Sequence, residues 1–309
     1  MGLVLACMTD SPTAWRVAQA AALVGAALGV ETRYVHFGEA GSAGAKRVAE
    51  AVAAARGESA DASGLLDVRP RIEGVAPDKA IRACIAELGA TMVVLGAVPR
   101  ERTWRDLFGS VARRVAWRAG CSVLLVATRG REPRDWSRFL VGVEARAEAG
   151  SSGPSAAPGA RSLASDVLAI ARTCAGARSG EASVCLVHEQ REPTRGLLGE
   201  PGRADGSNAR LSGLAAERHM LGEFALGLDA PAGVKLEAVT LPGRPGQELA
   251  RHAEDTSADL VGVLAPARPL GWLSRLLSHP VHLVLDQLPC AVLLHREGAG
   301  ERASAEHVA

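Results

Sequence analysis

The feature that most constrains this chain is an alternation of two hydrophobic periods, run through twice in the same order. In the first half, short apolar or β-branched runs occupy residues 3–8, 31–37, 67–73, 91–95 and 122–127. Between them, residues 13–28, 45–55, 77–88 and 107–117 carry apolar positions at helical spacing, with Pro77 suitably placed in a first turn. Each helix carries the chain back to the start of the sheet, so successive strands pair in parallel. Helices on both faces then cover the sheet, which is a doubly wound α/β architecture.

Residues 128–138 (TRGREPRDWSR) are polar, charged and contain a proline, and read as a linker. Beyond them the pattern restarts, with strands at 139–143, 182–188, 235–240, 260–264 and 291–295. Helices are expected at 162–174, 209–226, 246–255 and 273–285, the last kinked or split by Pro280. Landmarks repeat as well: Val35-His36 as Val187-His188, Gly74 with Pro77 as Gly243 with Pro245, and the run from Cys121 to Leu125 as that from Cys290 to Leu294. The spacing widens along the chain because residues 145–160 and 189–208 have no counterpart in the first half. Their Gly, Pro, Ser and charge content predicts mobile surface insertions. The tail from 297 to 309 lacks apolar periodicity and is read as disordered.

Composition excludes several function classes. In 309 residues, 35 Lys and Arg against 34 Asp and Glu leave a net charge of +1, which argues against bulk electrostatic binding of nucleic acid or membrane surfaces. No apolar run reaches the roughly 18 residues of a membrane span. The opening residues lack a basic region, so the expected location is the cytoplasm. Aromatics are only 3%, so the core must be aliphatic. The six cysteines form no C-x-x-C pair and read as buried free thiols.

The most informative motif follows the fourth strand: Gly96-Ala-Val-Pro99, nine residues, then Gly109-Ser110. A glycine-rich loop ending at a helix start offers backbone N–H groups to phosphate oxygens at close approach. A strand-to-helix loop that merely needs turn residues reads the same way. With the strand ending in Val-His, the Gly74 turn and the run GCSVLLVA, this segment resembles the universal stress proteins in their tandem form. The likeness is strong over residues 2–128 and weaker beyond. ATP-binding members of that family show G-x-x-G, nine residues, then G-[ST]; here Pro99 stands at the second glycine and brings no N–H. Those members also carry an Asp at the end of the first strand, where this chain reads Met8-Thr9-Asp10-Ser11. Asp10 stands one residue beyond that position, and Asp-Ser before a helix reads equally, and preferably, as a helix cap.

In the second half Glu144 takes the place of the acidic residue, and Ala265, Arg268 and Ser278 replace the three glycines, with Arg268 left as a cation for a phosphate. No P-loop or nucleophile elbow occurs. His279, His282 and Asp286 have helical spacing, but Pro280 interrupts them and no metal site is expected. His36 and His188 end strands and are expected to fix loops by hydrogen bonding. No catalytic residue is assigned, and ATP turnover is expected to be slow or absent.

The reading is two tandem doubly wound, Rossmann-like domains, residues 1–128 and 139–296, joined by a linker at 129–138, each with a five-stranded parallel sheet. The resemblance implies strand order 3-2-1-4-5 and a pseudo-dimer of the two halves, matched along residues 122–127 and 291–295. Further homodimerisation stays open. It also implies a cytoplasmic stress-response binding protein that takes ATP or another adenine nucleotide, without a metal, in the N-terminal half only. The residues expected to hold it are Thr9, Asp10, Ser11, Gly96, Gly109 and Ser110. The alternative is a nucleotide-independent scaffold with a protein partner, both sites having decayed.

Overall fold

The computed structural model describes residues 2–57, 66–97, 110–147, 154–191, 205–265 and 290–296. Five strands form the first half: β1 (Leu3–Met8), β2 (Glu31–Phe37), β3 (Leu66–Arg69), β4 (Met92–Ala97) and β5 (Ser122–Ala127). They alternate with α1 (Ala14–Leu28), α2 (Ala43–Arg56), α3 (Pro77–Leu88) and α4 (Ser110–Arg118). Helices α1, α2 and α3 each stop at a glycine with positive φ, Gly29, Gly57 and Gly89, a backbone that residues with a Cβ adopt at a cost.

The second half repeats the order with β6 (Arg138–Gly142), α5 (Ala160–Arg178), β9 (Ala182–Arg191), α6 (Asp205–Leu226), β10 (Val234–Gly243), α7 (Gln247–Asp255), β11 (Leu260–Leu264) and β12 (Ala291–His295). The helix expected at 273–285 and the tail lie outside the described residues. Between β6 and α5, the segment expected to be a mobile loop instead folds back as β7 (Ala145–Ala147) on β8 (Pro154–Ala156), paired antiparallel. Its small residues give no alternation to read, so only the backbone ladder reveals it.

Ten strands join in one sheet, in the order β10-β9-β6-β11-β12-β5-β4-β1-β2-β3. Each half therefore has the expected order 3-2-1-4-5, parallel throughout. The halves meet where β12 runs antiparallel to β5, with Val292 opposite Leu125 and Leu294 opposite Val123. Alternate side chains enter two cores. Val4, Ala6, Leu124, Val141 and Leu293 pack with α1, α2, α5 and α6, whereas Leu5, Leu125, Val261 and Val292 pack with α3, α4 and α7. Both cores cross the seam without a break, and α1 lies against α5.

The connection after β5 is held as firmly as an element. Arg16, in the first turn of α1 and only 7% exposed, donates Nε to Ala127 O (3.1 Å), Nη1 to Gly130 O (3.2 Å) and Nη2 to Arg129 O (3.1 Å) and Arg131 O (2.5 Å). Further on, the buried Asp259 carboxylate accepts the backbone N–H groups of Ser137 (2.7 Å) and Arg138 (3.0 Å). Trp136, inside this polar stretch, is almost fully buried. One guanidinium thus bonds the carbonyls of the last residue of β5 and of three connecting residues, a task its planar fork suits and an ammonium does not.

Two outcomes follow from this packing. Arg16→Met should lower stability by on the order of 2–4 kcal/mol, the worth of several charge-assisted bonds less what water restores. It should also open residues 128–137 to protease, with Arg16→Lys intermediate; an unchanged denaturation midpoint would refute the role. All six cysteines are free and five are buried, and burial pushes the Cys121, Cys174 and Cys290 thiols up to about 12 and the half-buried Cys185 up to about 11. Thiolate is the reactive form, so Ellman's reagent at pH 8 should find at most Cys185 in the native protein and all six thiols after denaturation.

Candidate functional site

In an open α/β sheet, ligands bind beyond the carboxyl ends of the strands where the strand order reverses. That point is the end of β1, between β2 and β4 in the first half, and the end of β6, between β9 and β11 in the second. Parallel pairing sets Cys7 beside Leu95, so the residues following Met8 lie next to Gly96. The structure therefore brings Thr9, Asp10, Ser11 and Gly96 to one rim. Ser110 opens α4, while Gly109, Pro99 and the rest of the loop joining β4 to α4 lie outside the described residues.

Thr9 and Asp10 are exposed, and Ser11 is half-buried. Thr9 Oγ1 donates to Ser11 Oγ (3.3 Å), which in turn lies 3.2 Å from Thr13 Oγ1, a short chain of hydroxyls across the mouth of the loop. Behind it the buried His36 places Nδ1 3.1 Å from Met8 O, tying the end of β2 to the end of β1. His188 repeats this on Val143 O at 2.8 Å in the second half. Both histidines are expected from the sequence to fix loops; their bonds fall on the last residue of β1 and on the first residue beyond β6. Gly96 has a packing reason of its own, since a Cβ there would stand 3.1 Å from the Val17 side chain of α1.

Asp10 is not the expected helix cap. Thr13 occupies the cap position of α1 and makes no side-chain cap bond. The Asp10 carboxylate instead turns to α2, where Arg47 grips it with Nε on Oδ1 (2.9 Å) and Nη2 on Oδ2 (2.5 Å). A two-pronged guanidinium is a stronger partner than one backbone N–H. Gly44 of α2 lets the carboxylate lie close: a Cβ there would meet Asp10 Oδ2 at 3.0 Å. Nothing in the local sequence announces this pair, because its members are on separate elements.

The second-half rim is built differently. Glu144 is exposed at the end of β6, and the hairpin β7–β8 follows it. The Glu217 carboxylate of α6 reaches His188 Nε2 (3.2 Å) and accepts from Gln190 Nε2 (2.9 Å). Glu189, at the end of β9, accepts the N–H groups of Gly246 (2.7 Å) and Leu249 (2.7 Å), capping α7 with its own chain. Burial raises the Glu189 carboxyl, and the backbone donors pull it back. Ala265 is described, whereas Arg268, Ser278, His279, His282 and Asp286 lie outside the described residues. Among the described residues, no group of three or more His, Cys, Asp or Glu is placed to hold a metal, and no helix is long and apolar enough to cross a membrane.

The hydrogen bonds from Arg47 hold the Asp10 carboxyl below the usual carboxylate range. A depressed folded-state pKa stabilises the fold above the unfolded value, and that contribution is lost as pH falls through the folded one. Carbon-detected titration should therefore show Asp10 among the lowest aspartates, returning to the ordinary range in Arg47→Met. An unshifted Asp10 in the native protein would mean that the pair does not persist in solution.

Residues 1–127 match the Universal stress protein family. No curated protein matches the chain. Among solved structures, a Pseudomonas aeruginosa UCBPP-PA14 protein described as a universal stress protein superposes with TM-score 0.66 at 16% identity, covering 98% of this chain and 97% of that one. A universal stress protein from Archaeoglobus fulgidus DSM 4304 gives 0.52 at 14% identity, covering 95% and 96%. At these identities the likeness shows a shared fold along the whole chain.

Proposed function

Because residues 1–127 match the universal stress protein family, we propose that the chain is a tandem protein of that type. In this reading residues 1–128 and 139–296 are its two domains, and it acts in the cytoplasm as a stress-response binding protein. It takes one adenine nucleotide, ATP or a relative, on the N-terminal rim. The observation that carries this is the state of Asp10: its charge is neutralised by Arg47 at a rim that otherwise offers hydroxyls, glycine backbone and a helix start. A free carboxylate there would repel phosphates, and a paired one does not. Thr9 and Ser11 would contact the nucleoside, and Gly96, Gly109 and Ser110 the phosphates.

At the second rim Glu144 stands exposed, and Ala265, Arg268 and Ser278 stand at the positions of Gly96, Pro99 and Gly109. This favours a single nucleotide per chain. Binding needs only donors and a groove, whereas phosphoryl transfer also needs a positioned nucleophile and charge stabilisation, for which no residue is assigned.

Calorimetry of the full chain should give at most one ATP. Hydrogen bonds to a charged phosphate contribute about 1.5–3 kcal/mol each, so the double change Gly109→Val, Ser110→Ala should weaken binding by roughly tenfold or more. Glu144→Gln should leave it unchanged. Two equivalent sites, or sensitivity only to the second-half change, would overturn the assignment. No binding at millimolar ATP would favour a nucleotide-independent scaffold.

A further inference from the structure

The first half passes from β1 to α1 through residues 9–13 alone, whereas the second half spends residues 143–159 on the same connection and folds part of them into the hairpin β7–β8. The sheet does not need this segment. What it builds is a cleft of about 670 Å³ between β8, the start of α5 and the flank of α6. That volume falls in the range of roughly 300–1,000 Å³ typical of small-molecule sites. The insertion supplies one wall of the cleft, from Pro154 to Gly159.

Its lining has two characters. Ala156, Pro158, Met220 and Phe224 supply apolar surface, while Arg161 supplies a cation. The Arg161 guanidinium does not swing freely: Nη1 donates to Gly227 O, and Cζ lies 5.7 Å from the centre of the Phe224 ring. A cation stacked on an aromatic face and held from one side is preorganised, so little entropy is lost when its remaining N–H groups take up an acceptor. Glu223 lines the same cleft, together with His219. A second negative charge near Glu223 would be repelled at neutral pH, so the cleft prefers one charge to two.

We propose that this cleft is a binding site for a small organic monocarboxylate with an aromatic or branched apolar body. The carboxylate would lie on Arg161 and the body on Met220 and Phe224. The site is independent of the nucleotide rim and does not rest on that reading.

The test uses three probes of one shape on the full chain: 1-naphthoate, 1-naphthyl phosphate and the neutral 1-naphthalenemethanol. Calorimetry, with amide chemical shifts to place the ligand, should show naphthoate binding once, with shifts confined to β8, the start of α5 and α6. The phosphate and the alcohol should bind about tenfold or more weakly, the worth of one charge-assisted hydrogen bond. Arg161→Gln should bring naphthoate down to the level of the alcohol, and Glu223→Gln should narrow the gap between naphthoate and the phosphate. Ala216→Trp, which fills the cleft from the α6 side, should remove naphthoate binding; unchanged melting temperatures confirm that the variants fold. Saturating ATP should leave the naphthoate isotherm unchanged, so a failure of nucleotide binding leaves this proposal standing. Equal affinity for naphthoate and alcohol, indifference to Arg161→Gln, shifts away from the cleft, or no binding up to about 10 mM (a binding free energy weaker than about 3 kcal/mol) would overturn it.

Discussion

Strands β5 and β12 cannot be edges. Every residue of β12 is buried, as is every residue of β5 except the last, so each strand is apolar on both faces. An open edge of that kind presents unpaired N–H and C=O groups beside apolar side chains and invites aggregation. The chain closes both edges at once by pairing them with each other. The outer edges fall instead to β3, which is short and carries Asp67 and Arg69, and to β10, whose side chains are largely half-buried or exposed.

The antiparallel sense of that one pairing fixes where everything functional lies. Since each half is parallel within itself, the carboxyl ends of the first five strands form one rim of the sheet and those of the last five form the opposite rim. The end of β5 and the beginning of β6 therefore share a rim, which is also where α1 begins, and this is how Arg16 comes to face the connecting residues. At the other rim Arg296, just past β12, donates to Ala116 O (2.8 Å) and Ala119 O (2.9 Å) at the end of α4, where unpaired carbonyls favour a cation. Arg296 thus ties the end of the second half to α4 of the first, while at the opposite rim Arg16 ties the linker back to α1.

How much of this was legible in the sequence depended on whether the signal was local. The limits of β5, β11 and β12 were readable to the residue, because a strand buried on both faces is an unbroken apolar run between breakers. The repeat was readable from Val-His and Cys-x-Val-Leu-Leu, since both mark strands that the sheet buries. The hairpin β7–β8 was not, because Ala, Ser, Pro and Gly carry no period. Nor were Arg16 and Arg47: an arginine in a helix ordinarily faces water, and only the tertiary arrangement supplies the four carbonyls or the distant carboxylate that these two hold. For the candidate site, the glycines and hydroxyls could be read as a motif, but the state of the Asp10 charge could not.

The two rims share a topology and differ in what their carboxylates do. At the first, Asp10 is bound by a cation from α2. At the second, Glu189 caps α7 and Glu217 bonds His188 and Gln190, so acidic groups are consumed in holding α6 and α7 to the sheet. A carboxylate that caps a helix of its own chain satisfies backbone donors that a ligand would otherwise have to meet, and this is how the second rim uses Glu189. Because the rims face opposite ways, a ligand at one touches nothing at the other. Coupling between them runs through the seam: α1 on α5, the paired strands β5 and β12, and Arg296, which holds main-chain oxygens of α4 across it.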